Sequence, residues 1–135
     1  MTLDELRAHL ARSPFIRSLG FELVSADVAM STLVMRLPWR DAGQDADGRG
    51  TWHGGPIAAL IDTAGAFAAT MLTGRDCGTV SMLVDYVRPA RGDLMAQALV
   101  RKAGRTLSNV DVDIIDTSGK VCALGRGTFF VSSAA

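Results

Sequence analysis

The sequence predicts an α+β domain in which a curved antiparallel sheet wraps one long apolar helix. Three observations lead there. The run from Gly54 to Thr73 is apolar and long enough for more than five helical turns, with Asp62 as its only charge. Two short β-prone runs precede it and four follow, these four joined by RPARG, AGR and DTSG, which carry the Gly, Pro and Asp chemistry of tight connections. Within TLSNVDVDII, Val110, Val112 and Ile114 alternate with Asn109, Asp111 and Asp113, so the sheet has one wet face and one that needs covering.

A chain of 135 residues that is 48% apolar suits one domain, 1–135, with a core of its own. Leu3, Leu6 and Leu10 recur at helical spacing behind Thr2, with Glu5 completing a capping box, so a short helix covers about 2–11, and Pro14 ends or redirects it. FELVSADV and STLVMRL read as two adjacent strands closed by Pro38. PWRDAGQDADGRGTW, 38–52, is polar, glycine-rich and without period, and a loop of this length in a small domain is functional or mobile. Pro56 suits a first helical turn, so the central helix covers about 55–72 before Gly74. TVSMLVDYV, DLMAQALVRK, TLSNVDVDII and KVCALGRGTFFV then supply four strands in meander-like succession.

Charge excludes some functions. Lysines plus arginines number 14 and acids 14, so no global field draws nucleic acid or an anionic membrane. Asp62 in mid-run, with Gly and Pro at its start, marks the long helix as a soluble core helix rather than a membrane span. MTLDELRAHLARSPF lacks the apolar core of a signal peptide, and Cys77 and Cys122 form no CxxC pair, so the expected compartment is the cytoplasm and the expected cysteines are buried, inert thiols.

On the long helix Gly55, Ala58, Ala59, Asp62, Gly65, Ala66 and Ala69 fall on one side, and Ile57, Leu60, Ile61, Ala64, Phe67, Ala68 and Met71 mostly on the other. The small-residue stripe lets a partner subunit or a thin ligand approach, where it would meet Asp62. A carboxylate in poorly solvated surroundings gains basicity, as a general base or nucleophile requires. Gly54 and Gly55 stand at the helix start, where N–H groups lack intrahelical partners and suit a developing oxyanion. Donor and carboxylate are about two turns apart, roughly 11 Å of rise, with room for a substrate between. Plainer readings stand beside these: Asp62 as partner of an arginine, His53 as a packing residue, the glycine pair as turn chemistry. No second His or Cys cluster supports a metal site.

His53-Gly54-Gly55 with Ala58, Ala59, Leu60, Asp62 and Ala64 resembles the signature of hotdog-fold acyl-CoA thioesterases of the phenylacetate-degradation type. Thr79 to Met82, Asp85 to Ala90 with its RPA turn, and Gly104-Arg105-Thr106 extend the resemblance over about 20–131. It implies a hotdog fold, a homodimer or homotetramer with active sites at the subunit interface, an acyl-CoA substrate, and neither metal nor cofactor. It further implies Asp62 as base or nucleophile, the Gly54 N–H as carbonyl polariser, His53 as the residue orienting the loop and Thr79 as a hydroxyl placing water, while Gly55 is expected to contact the substrate. Asp47 takes a position where many relatives carry Asn, and an aspartate donates no hydrogen bond unless protonated; Gln44 is the other candidate. Arg88, Arg91, Lys102 and Arg105 stand where CoA phosphates could rest, and Trp52 and Phe67 where an acyl pocket or the core could use them. Two rivals share the fold: a non-catalytic acyl-CoA-binding or sensing module, and a dehydratase or hydratase pairing a histidine with a helix acid.

Overall fold

A computed structural model describes residues 1–133. Its elements are α1 (Leu3–Leu10), α2 (Pro14–Leu19), β1 (Glu22–Asp27), β2 (Thr32–Leu37), a short 3-10 turn (Asp41–Gly43), α3 (Gly54–Thr73), β3 (Cys77–Tyr86), β4 (Leu94–Ala103), β5 (Leu107–Ile115) and β6 (Val121–Val131). The capping box of α1 forms as its sequence dictates, Thr2 Oγ1 accepting from the Glu5 N–H while the Glu5 carboxylate accepts from the Thr2 N–H. Pro14 does more than end α1. Ser13 caps a second helix and Pro14 occupies its first turn, the position where a missing N–H costs nothing.

The six strands form one antiparallel sheet in the order β1-β2-β4-β5-β6-β3. Only β4, β5 and β6 form the expected meander. After β2, α3 carries the chain across the buried face to the opposite side, so β3 pairs with β6 and leaves its other edge open. Pro89 has no N–H to continue a ladder, and the turn from Val87 to Gly92 returns the chain past the end of the sheet, with the Val87 and Arg88 N–H groups both donating to the Cys122 carbonyl.

Although α3 is long and apolar enough to span a membrane, here it packs across the inner face of β2 to β6. Ile57, Leu60, Ile61, Ala64, Phe67, Ala68 and Met71 are all buried, as their spacing predicts. At its far end Gly74 takes the left-handed conformation of a helix stop, the Met1 ammonium donates to the Met71 carbonyl, and His9 pairs with Asp76 at 2.7 Å while standing edge-on to Phe67.

The small-residue stripe is narrower than the helical spacing predicts. Ala58, Ala59, Asp62 and Ala66 remain half-exposed, but Gly65 and Ala69 are buried. Phe129, 1% exposed on β6, reaches under Gly65, where a Cβ would lie 2.7 Å from its Cζ. Overpacking at such a site costs about 1–3 kcal/mol against a helix-propensity gain of about 1 kcal/mol. Gly65→Ala is therefore expected to lower the denaturation midpoint in urea at unchanged slope.

Candidate active site at the start of the long helix

The first turn of α3 leaves one backbone donor free. His53, in extended conformation, caps the helix, its Nδ1 accepting from the Gly55 N–H at 2.8 Å, which leaves the proton of the neutral ring on Nε2. Pro56 has no N–H. Among the described residues, Gly54 thus keeps the one first-turn N–H without a partner, at the positive end of the helix dipole.

Several contacts fix this turn. The His53 N–H donates to the Gly43 carbonyl at 2.8 Å and the Trp52 N–H to the Ala90 carbonyl at 3.0 Å. The Trp52 indole N–H donates to the Gly92 carbonyl at 2.7 Å, and its ring stands edge-on to Trp39. Tyr86, the last residue of β3, donates its hydroxyl to the Gly54 carbonyl at 2.8 Å. Its ring lies so close that a Cβ on residue 54 would sit 3.2–3.3 Å away, a contact the ring would have to ease by a few tenths of an ångström.

Beside this turn opens a cavity of about 910 Å³. Trp52, Ile57 and Ala90 are its buried wall, Tyr86, Val87 and Pro89 add exposed apolar surface, and Asp45, Arg49, Arg88 and Arg91 supply its charges. Arg88 donates through Nε to the Val121 carbonyl, and Arg91 through Nη1 to the Arg49 carbonyl. The Thr51 hydroxyl, followed by the Arg49 guanidinium, holds the Asp45 carboxyl below the usual carboxylate range.

Further along the helix, Asp62 is half-buried and accepts from the Thr79 hydroxyl at 2.5 Å. Thr79 and Asp62, named separately by the resemblance, are thus in contact. Trp52, His53, Gly54, Gly55 and Arg88 share the cavity. Three expected site residues lie elsewhere. Asp47 is exposed in the Ala46–Arg49 turn, while Asp45 reaches the cavity and Gln44 accepts from the Gly50 N–H. Phe67 packs in the core against His9. Arg105 sits with Arg75 beside the C-terminal end of α3. Tyr86, Asp45 and Arg49 escape sequence reasoning, because only the fold brings the end of β3 and the loop before α3 together; the RPA turn beside Tyr86 is the nearest signal.

Asp62 and Gly54 stand well apart along one helix. Eight residues of rise separate them by about 12 Å, and the Gly54 N–H points out of the helix start, away from Asp62. An oxyanion donor about 3 Å from the carbonyl oxygen and a nucleophile about 3–3.5 Å from its carbon stand only about 7 Å apart. Ideal helix geometry thus sets the two groups of one helix too far apart to hold one carbonyl between them.

Comparison with known proteins bears on the same residues. The profile of the Thioesterase superfamily matches residues 49–123, from the loop before α3 into β6. A protein of Halobacterium salinarum is 33% identical over 116 residues, covering 78% of this chain and 77% of that one. Acyl-coenzyme A thioesterase PaaI of Escherichia coli is 31% identical over 113 residues, 82% of this chain and 77% of its own. An X-ray structure of a thioesterase-superfamily protein superposes with a TM-score of 0.89 at 30% identity, covering 96% of this chain and 98% of that one. With a long helix wrapped by six antiparallel strands and the His53-Gly54-Gly55 turn at its start, the chain belongs to the thioesterase superfamily and has its hotdog fold.

Proposed function

We propose that this thioesterase hydrolyses acyl-CoA to the free acid and CoA at sites shared between two copies of the chain, Gly54 coming from one and Asp62 from the other. The substrate class rests on the resemblance to PaaI, named an acyl-coenzyme A thioesterase. The observation that carries the shared site is the roughly 12 Å between Gly54 and Asp62 along a single helix, with the donor pointing away. The open edge of β3 supplies the means of pairing: ten residues long, it exposes Val80 at 59%, Leu83 at 65% and Tyr86 at 52%. Two β3 edges paired antiparallel would bring the Cys77–Thr79 end of one copy, with Asp62 beside it, to the Tyr86 end of the other. Two such dimers pairing again would give a tetramer.

In that arrangement the thioester carbonyl accepts from the Gly54 N–H, held by the His53 cap, while Asp62 and Thr79 of the partner face its carbon. Asp62 takes a proton from water as the water oxygen adds to the carbon, or adds directly to give an anhydride that water then opens. In both routes the π electrons move to the oxygen held by Gly54 and return as the CoA thiolate leaves. A thiolate leaves without prior protonation, so no strong general acid is required. Covering by the second copy would also remove water from Asp62, which one chain leaves half-exposed. Trp52 walls the acyl or pantetheine cavity. Arg88 and Arg91, which line that cavity, would meet the phosphates together with Arg75 and Arg105 of the other copy. Two free thiols fit a cytoplasmic setting.

Thiol release from a panel of acyl-CoAs, measured alongside sedimentation, tests this reading. Hydrolysis by a dimer or tetramer is expected. A fully active monomer would overturn the shared site, and saturable acyl-CoA binding without hydrolysis would leave the binding module in its place.

A further inference from the structure

We infer that Tyr86 is a positioning residue for thioester hydrolysis: its hydroxyl pins the Gly54–Gly55 peptide, and through it the aim of the Gly54 N–H. The inference rests on the reading of Gly54 as the oxyanion donor.

Two adjacent glycines make the least restrained start a helix can have, because neither carries a Cβ to limit φ and ψ. Pro56 fixes its own φ but adds no donor to hold the turn. The peptide unit between Gly54 and Gly55 is instead tied from outside at both of its polar ends. Its N–H donates to His53 Nδ1 at 2.8 Å, and its carbonyl accepts from the Tyr86 hydroxyl at 2.8 Å. The first tie is local, from the neighbouring residue. The second comes from the sheet: Tyr86 pairs with Ala123 of β6, and the next two residues both bond to the Cys122 carbonyl. Tyr86 therefore references the helix start to the rigid strand pair β3–β6, and Thr79, the partner of Asp62, lies on the same β3. One strand thus touches both halves of the chemistry, its Thr79 end holding the carboxylate and its Tyr86 end holding the donor turn.

Core packing does not account for this tyrosine. Within one chain it is 52% exposed, packing of its ring against a second β3 edge would serve phenylalanine equally, and the carbonyl it bonds belongs to a helical turn that already offers that oxygen to the helix ladder. The contact that distinguishes tyrosine from phenylalanine here is the hydroxyl on Gly54, and its consequence is orientation of a donor that acts only when charge develops on the substrate oxygen.

The test is Tyr86→Phe, which keeps the ring against Gly54 and removes one hydrogen bond. The expected result is a fall in kcat of about 10-fold, below the loss for deleting an oxyanion donor outright, with KM within about two-fold because the interaction belongs to the transition state. The melting temperature should stay near native, and the Gly54 carbonyl carbon and Gly55 amide NMR signals should shift. Unchanged kcat would overturn the inference, as would a loss carried wholly by KM or one that tracks the folded fraction. Gly54→Pro, which deletes the donor N–H, separates this from the underlying reading. If Gly54→Pro is inactive and Tyr86→Phe is unimpaired, only the positioning role fails; if Gly54→Pro hydrolyses at the native rate, the donor assignment fails and the inference with it.

Discussion

Asp62→Asn is expected to lower kcat by about 10²–10⁴-fold while leaving the protein folded. The substitution is nearly isosteric, and the one side chain among the described residues that bonds Asp62, the Thr79 hydroxyl, finds the same acceptor in an asparagine amide oxygen. Ala58, Ala59 and Ala66 beside it on the half-exposed stripe offer nothing that a neutral amide would offend, so stability should change by less than about 0.5 kcal/mol. What disappears is the capacity to accept a proton from water or to attack a carbonyl. Thiol release, far-ultraviolet circular dichroism and the melting temperature distinguish that loss from misfolding. Native-rate hydrolysis by the folded variant would remove Asp62 from the mechanism. Thr79→Val should cost less, about 10-fold, because it leaves the carboxylate in place and removes only the hydroxyl that orients it.

Much of the fold was legible because it is written locally. Thr2 and Glu5 start α1, Pro56 and Gly74 bracket α3, and the six strands fall within about two residues of the runs that predict them. Non-local facts were not legible. Nothing in TVSMLVDYV says that it pairs with β6 rather than β4, because the choice depends on which way α3 crosses the sheet. Gly65 satisfies the spacing of the small-residue stripe, yet Phe129, far along the chain on β6, decides that it is buried. The candidate site divides the same way. His53, Gly54 and Asp62 could be read from caps, dipoles and an isolated charge, whereas exchanging Asp47 for Asp45 at the cavity depends on the geometry of the Ala46–Arg49 turn, which its polar, aperiodic sequence does not announce.

Gly54→Pro is expected to reduce kcat by about 10²–10³-fold, the cost of losing one oxyanion donor, and combining it with Asp62→Asn is expected to restore activity that neither variant has alone. The backbone is suited to the change. Residue 54 is the first helical position, which favours proline, and His53 already has the extended conformation, φ −61° and ψ 148°, that a following proline demands. The new ring must displace Tyr86 by a few tenths of an ångström, since a Cβ there falls 3.2–3.3 Å from it. Neither variant can work as a homodimer: one lacks donors, the other carboxylates. In a heterodimer one site combines Gly54 of the Asp62→Asn chain with Asp62 of the Gly54→Pro chain and is intact, while the other site carries both defects. Random assortment on co-expression at equal levels makes half the dimers heterodimers, so activity should return to about one quarter of native. Were each chain to carry a complete site, every ratio of the two variants would stay as inactive as its parents. The roughly 12 Å of helix between the two groups, and the outward direction of the Gly54 N–H, are the physical reasons to expect recovery.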